Sequence, residues 1–141
     1  MKKLLFLSLV TSIGFSCKKN DDASCSVSTA SISGPYRITA YAYKSSPSAT
    51  EVDYYNIIFS DPCQRDDIYT FNSNGTYHIA DAGTVCTPSG NDDGTWALAG
   101  HTITIDGEQG LVQSFDCHSL VLVISDTQIA GDQLKITLVK Q

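Results

Sequence analysis

Ile68-Tyr69-Thr70-Phe71-Asn72-Ser73-Asn74-Gly75-Thr76-Tyr77-His78-Ile79 sets two β-branched and aromatic runs on either side of an Asn-Gly pair. Side chains of an extended strand alternate between its two faces, and β-branched and aromatic residues suit that pleated surface. Asn74-Gly75 tolerates the positive φ angles of a tight hairpin turn. The stretch therefore predicts two adjacent strands of an antiparallel sheet.

The same habit recurs on both sides. Arg37-Ile38-Thr39-Ala40-Tyr41-Ala42-Tyr43 alternates larger and smaller groups, and Trp96-Ala97-Leu98 and Thr102-Ile103-Thr104-Ile105 flank a turn at Ala99-Gly100-His101. Leu111 to Phe115, Leu120 to Ile124 and Leu134 to Val139 complete the series, with Asp116-Cys117-His118-Ser119 and Ala130-Gly131-Asp132 as breaks. The total is about eight short strands, mostly on short links. Sustained helical periodicity is missing, and only Val52 to Phe59 has room for a turn or two of helix. Short links produce antiparallel meanders, whose sheet edges must be hidden. Closure hides them, so the expected fold is all-β: an antiparallel up-and-down β-barrel, wide enough inside for packed side chains or one small ligand. The same strand spacing also permits a two-sheet β-sandwich.

The chain of 141 residues has room for one such domain. At its start, Lys2 and Lys3 precede an apolar run from Leu4 to Val10, and Gly14-Phe15-Ser16 leads into Cys17. A run this short marks a secretory signal rather than a membrane-spanning helix. Small residues before a cysteine resemble the lipobox of bacterial lipoproteins, which implies cleavage after Ser16 and acylation of Cys17. Acyl chains hold a protein to a bilayer without any spanning segment. The following Lys18-Lys19-Asn20-Asp21-Asp22 resembles the surface-export signal of Bacteroidetes lipoproteins, so the expected location is the outer membrane, lipid-anchored and facing the cell exterior. The expected division is a signal peptide over 1–16, a lipidated N-terminus and tether over 17–33, and a barrel domain over 34–141. Lys18 to Ser33 has Val27 and Ile32 as its only large aliphatic side chains and reads as a flexible tether. Random-coil statistics give it a reach of roughly 20 Å, less if Cys25 is bridged.

The formal charge is -6, and removing Lys2 and Lys3 with the signal leaves an excess of eight acidic groups. An acidic surface repels phosphate backbones, so nucleic acid is not an expected partner. Of five cysteines, Cys17 is assigned to lipid. Cys25, Cys63, Cys86 and Cys117 remain, an even number in an oxidising compartment. Four cysteines allow three connectivities, and spacing alone does not choose strictly among them. The favoured pairing joins Cys63 to Cys86, which bracket the evident hairpin, and Cys25 to Cys117.

The order Cys63-Gln64-Arg65-Asp66-Asp67, then Phe71-Asn72-Ser73-Asn74-Gly75-Thr76-Tyr77, then Cys86, then Gly94-Thr95-Trp96 resembles the lipocalin-like domain of many Bacteroidetes lipoproteins. The resemblance covers most of Gly34 to Gln141 and implies an up-and-down barrel on a lipid anchor, with a bond between Cys63 and Cys86. Lipocalins carry Gly-x-Trp on the first strand, whereas this chain has Gly34-Pro35-Tyr36 there. Lipocalin ligands are therefore not carried over.

Seven tyrosines, at positions 36, 41, 43, 54, 55, 69 and 77, join Phe71, Phe115 and Trp96. Aromatic groups with a polar tip suit a pocket that stacks on a sugar or amphiphile and adds a hydrogen bond. The inward register of such a pocket is expected to carry Tyr69, Phe71, Tyr77 and Trp96. The segment Lys44 to Pro62 is read either as a lid over the barrel mouth or as packing that plugs one end. Asp66-Asp67 reads as a strand start facing solvent, since neighbouring strand residues point to opposite faces. His78, His101 and His118 lack metal-ligand spacing, and no Cys-x-x-Cys pair appears, so no metal or cofactor is expected. Without a Ser-His-Asp set or a phosphate-binding loop, the chain is not expected to be an enzyme. The expectation is a lipid-anchored module that binds a small apolar or carbohydrate-like ligand. The alternative is an interaction module or inhibitor at the cell surface, meeting an envelope protein and no small molecule.

Overall fold

The computed structural model describes residues 25–141. The expected signal peptide, the lipidation site Cys17 and the charged run Lys18 to Asp22 lie outside the described residues. In chain order the elements are α1 (Thr29–Ile32), β1 (Gly34–Lys44), β2 (Val52–Asp53), α2 (Tyr55–Ile58), a 3-10 turn at Pro62–Arg65, β3 (Ile68–Phe71), β4 (Thr76–Ala80) and β5 (Asp92–Ala99). β6 (Thr102–Ile105), β7 (Glu108–Phe115), β8 (Ser119–Ser125) and β9 (Gln133–Lys140) follow.

β3 to β9 pair in sequence order, and β1 pairs antiparallel with both β3 and β9. The sheet therefore closes into a barrel of eight strands, with β2 appended to β1. Every strand read from the sequence lies in this barrel. The β1–β9 pairing decides against the sandwich, because it joins the edges that would bound separate sheets. The expected hairpin is present, with Phe71 opposite Tyr77 and Gly75 at φ +89°.

Two β-bulges keep the large side chains inside. In β1, Ile38 faces Leu138 and Ala40 faces Thr137, so Thr39 is an extra residue. It resets the alternation, so that Ile38 and Tyr41, three apart, both point into the barrel. In β7, Val112 faces Leu122 and Ser114 faces Val121, which makes Gln113 the extra residue. Gly110 and Val112 before it and Phe115 after it lie on the inner side.

One end of the barrel is solid. Ile32, Tyr36, Phe71, Trp96, Ile103, Val112, Leu120 and Leu138 form its buried core. Tyr36 meets Phe71 edge-on at 5.9 Å, and Phe71 meets Trp96 edge-on at 5.2 Å between ring centroids. α1 caps this end: the Tyr36 hydroxyl donates to the Ile32 carbonyl at 2.7 Å, and Lys140 Nζ donates to the Ser31 carbonyl at 2.7 Å. The Lys140 ammonium also stands 5.5 Å from the Tyr36 ring centroid, close enough for a cation–π contact. Tyr36 thus fills the first-strand position where lipocalins carry tryptophan.

The tether expected to run to Ser33 ends earlier. Cys25 is bridged to Cys117 with 5.3 Å between Cα atoms, and Ile32 is completely buried. A capping box between Ser28 and Ser31 closes α1. Sparse aliphatic content pointed to a free segment, but a single isoleucine suffices when a barrel core is there to receive it.

Lys44 to Pro62 lies against β1. α2 is the single helical turn the sequence allowed, and Phe59 behind it is buried between Tyr41 and Tyr55, with ring centroids 5.5 and 5.1 Å away. β1 pairs with β3 only over Gly34–Tyr36, so its edge is open further along. There the Tyr55 hydroxyl donates to the Ile38 carbonyl, a side chain replacing a ladder partner.

Candidate functional site

The half of the barrel away from α1 is hollow. A cavity of about 360 Å³ lies among Ile38, Tyr41, Tyr69, Phe71, Tyr77, Ile79, Ile103, Ile105, Gly110, Leu122, Ile124, Ile136 and Leu138. Its size falls within the range of small-molecule sites, and its wall is aliphatic and aromatic, as such sites are. Asp106 and Glu108, beside the β6–β7 turn, are its charged lining residues.

Gly94 shapes one side. A Cβ at that position would come within 2.4 Å of the Tyr77 ring and 2.6 Å of the Asp106 carboxylate. In the space so left, the Tyr77 hydroxyl donates to Asp106, which also accepts from the Thr95 amide at 2.8 Å. Hydrogen bonds from the Thr95 amide and the Tyr77 hydroxyl lower the Asp106 carboxyl below its ordinary range. Burial, then the Asp106 contact, pushes the Tyr77 hydroxyl up to about 12. Burial likewise raises Tyr41 and, most of all, Tyr69. These tyrosines are neutral at physiological pH, as a largely apolar chamber requires.

A second, more polar cavity of about 600 Å³ adjoins the first, with Tyr69 and Ile79 lining both. Phe59, Asp61, Cys63, Gln64 and Asp67 form one side, and Cys86 to Gly90 the other. The Cys63–Cys86 disulfide, with 5.4 Å between Cα atoms, clamps those two sides together. Carboxylates organise the facing loop. Asp81 accepts from the amides of Cys86 and Gly90, and Asp66 accepts from the Thr84 amide at 2.9 Å. Asp67 is the most deeply buried of these carboxylates, only 7 % exposed; its Oδ1 has no hydrogen-bond partner, and neither have Asp66 Oδ1 and Gln64 Oε1. Burial, followed by the charges of Asp81 and Asp66, raises the Asp67 carboxyl above its usual range.

Of the residues singled out from the sequence, Tyr69, Phe71 and Tyr77 line the lumen. Trp96 does not. It points inward but belongs to the solid end, where its indole Nε1 donates to the Asn72 carbonyl at 2.8 Å. Both disulfides join the pairs favoured from the sequence. Asp67 corrects an expectation, since it is buried instead of facing solvent. It lies two residues before Tyr69 and four before Phe71, so extending the inward alternation back by one step would have found it. Asp132, read only as part of a break, is fully buried and accepts from the amides of Thr127, Gln128 and Ile129. Among the described residues, no three His, Cys, Asp or Glu side chains are grouped to hold a metal ion.

A closed up-and-down barrel, solid at one end and hollow at the other, defines the class of β-barrels that enclose small ligands. The sequence profile of the lipocalin-like domain matches residues 32–136, and the chain belongs to that family. No curated protein and no solved structure matches it.

Proposed function

We propose that this protein is a lipid-anchored binding module of the bacterial outer membrane, holding a small apolar or amphiphilic ligand in its barrel without transforming it. The observation that carries this is the apolar lumen of about 360 Å³, built by inward side chains of a closed barrel. The lipobox-like approach to Cys17 supports the anchor, and the charged run after it supports an outward-facing position.

Fluorescence titration with an environment-sensitive apolar dye tests lumen binding. A dye signal that saturates, and that medium-chain alcohols displace, is the expected result. The variant Gly110→Leu should abolish it. A Cβ at Gly110 would lie 3.3 Å from a side-chain carbon of Ile124, so the added group enters the lumen against a neighbour able to shift. Equal dye binding by that variant would overturn lumen binding. Metabolic labelling with an alkyne-bearing fatty acid tests the anchor, with label expected on the native chain and lost in Cys17→Ser.

One observation favours partner binding as a second reading: Val52, Ile57 and Ile58 are 51 %, 64 % and 44 % exposed on the segment joining β1 to β3. A pull-down from envelope extract, compared with a chain whose 44–62 segment is replaced, separates the two functions.

A further inference from the structure

The charged lining of the lumen is of one sign. Glu108, Gly110 and Val112 alternate onto the inner face of β7 ahead of its bulge, and Glu108 lies directly opposite Ile105, another lumen residue. Asp106, in the turn just before β7, joins it at the lumen wall. Both residues are exposed, so a ligand end reaching this turn meets them. Asp106 is engaged by the Thr95 amide and the Tyr77 hydroxyl, whereas Glu108 has no ion-pair partner among the described residues.

Nothing in the wall offsets these charges. Among the described residues, no lysine, arginine or histidine lines the lumen, and its remaining polar side chains are the neutral Tyr41, Tyr69 and Tyr77. Lys44 and Lys135, on strands that reach this end, line a separate groove with Glu51, to which Lys135 is ion-paired. The wider distribution agrees. Asp116 stands in the β7–β8 turn at the α1 end, but every other acidic residue described lies on a connection at the hollow end or in the first two residues of a strand there. Charge of one sign around a low-dielectric cleft gathers ions of the other.

We infer that the lumen receives a cationic amphiphile, an alkyl chain ending in a protonated amine: the chain fills the barrel, and the ammonium group lies against Glu108 with Asp106 beside it. The same charges reject amphiphiles with carboxylate or phosphate heads. The enclosed apolar lumen is the site, and its carboxylates decide what the outer end of the occupant carries. This assignment rests on the lumen being a ligand site, as proposed above, and adds the charge of the head group.

Calorimetric titration of the disulfide-intact protein at neutral pH and low salt separates the two claims. The probes are decylamine, decanol and decanoate, all of one tail length and each kept below its aggregation concentration. Decylamine should bind about fivefold or more tighter than decanol, and decanoate most weakly. Glu108→Gln should cut the decylamine advantage by about threefold and leave decanol within about twofold. Glu108→Lys should weaken decylamine further and strengthen decanoate, and added salt should shrink the advantage in the native chain. Gly110→Leu should weaken decylamine and decanol alike, which separates lumen binding from amines gathered on the acidic surface. Decylamine no tighter than decanol, unchanged by both Glu108 variants, or indifferent to Gly110→Leu overturns the head-group assignment, and decanol binding then still upholds the lumen function. Decanol failing to bind at all overturns the lumen function itself.

Discussion

The Tyr77 hydroxyl donates to the Asp106 carboxylate across β5, through the space that Gly94 leaves by having no side chain. Tyr77 belongs to β4 and Asp106 follows β6, so the contact ties together strands that are not neighbours in the sheet. It fixes the Tyr77 ring at the lumen wall.

Gly94→Ala should therefore perturb stability and binding together. The new methyl would collide with a ring that is 8 % exposed and cannot swing into solvent. Overpacking of this kind costs about 1–3 kcal/mol, read as a lower urea midpoint. Tyr77→Phe should keep the packing and lose the contact, with a smaller fall in stability.

Trp96→Ala should separate the solid end from the hollow one. Removing a buried tryptophan costs about 3–5 kcal/mol, and the indole bond to the Asn72 carbonyl is lost with it. Chemical denaturation should show that loss. Among the molecules that stay folded, lumen dye affinity should change little, because Trp96 lies outside the lumen wall.

The two disulfides should differ in weight. In the chain-entropy model, the bridge spanning 92 residues contributes roughly 4–5 kcal/mol and the one spanning 23 roughly 3 kcal/mol. Cys25→Ser with Cys117→Ser should therefore lower the denaturation midpoint more than Cys63→Ser with Cys86→Ser. Ligand affinity should fall more in the second pair, whose bridge clamps the polar pocket.

Stability should fall at both pH extremes, for opposite reasons. Burial raises the Tyr36 hydroxyl to about 12 from an ordinary value of 10, and Tyr77 is raised to about 12 as well. The unfolded chain then releases those protons first, so stability held below pH 10 is lost as pH climbs toward 12. Absorbance of tyrosinate should rise in step with loss of near-ultraviolet circular dichroism. Asp132 behaves the other way. Burial opposes its charge, but the amides of Ile129, Thr127 and Gln128 outweigh that and hold it at about 2. Its contribution is present above the unfolded value near 4 and is lost as pH drops to about 2. Asp132→Asn should flatten the acid limb of a thermal-midpoint profile while lowering its plateau.

Much of the barrel was legible because strand alternation and turn chemistry are local. Phe71 and Tyr77 face each other across a turn whose Asn74-Gly75 pair announces itself, and the strand pattern repeats often enough to favour closure over a two-sheet sandwich, which the β1–β9 pairing then decided. The candidate site was legible only in part. Tyr69, Phe71 and Tyr77 share one parity, which placed them inside, but parity does not say how far along the barrel each residue lies. Trp96 has the same inward orientation and lies at the plugged end.

By itself, the sequence determined the strands and their antiparallel order, which follow from side-chain periodicity and turn residues, and it favoured closure and one cysteine pairing; the β1–β9 pairing and the two disulfides that decide between the alternatives belong to the tertiary structure. Tertiary structure alone decided that Thr39 and Gln113 bulge out to keep the inward faces in phase. It also decided that Ile32 docks into the core and that Asp67 is buried with an unpartnered oxygen. Those outcomes depend on contacts between residues far apart in the chain: burial belongs to what surrounds a side chain, and no local pattern encodes which distant strand will cover it.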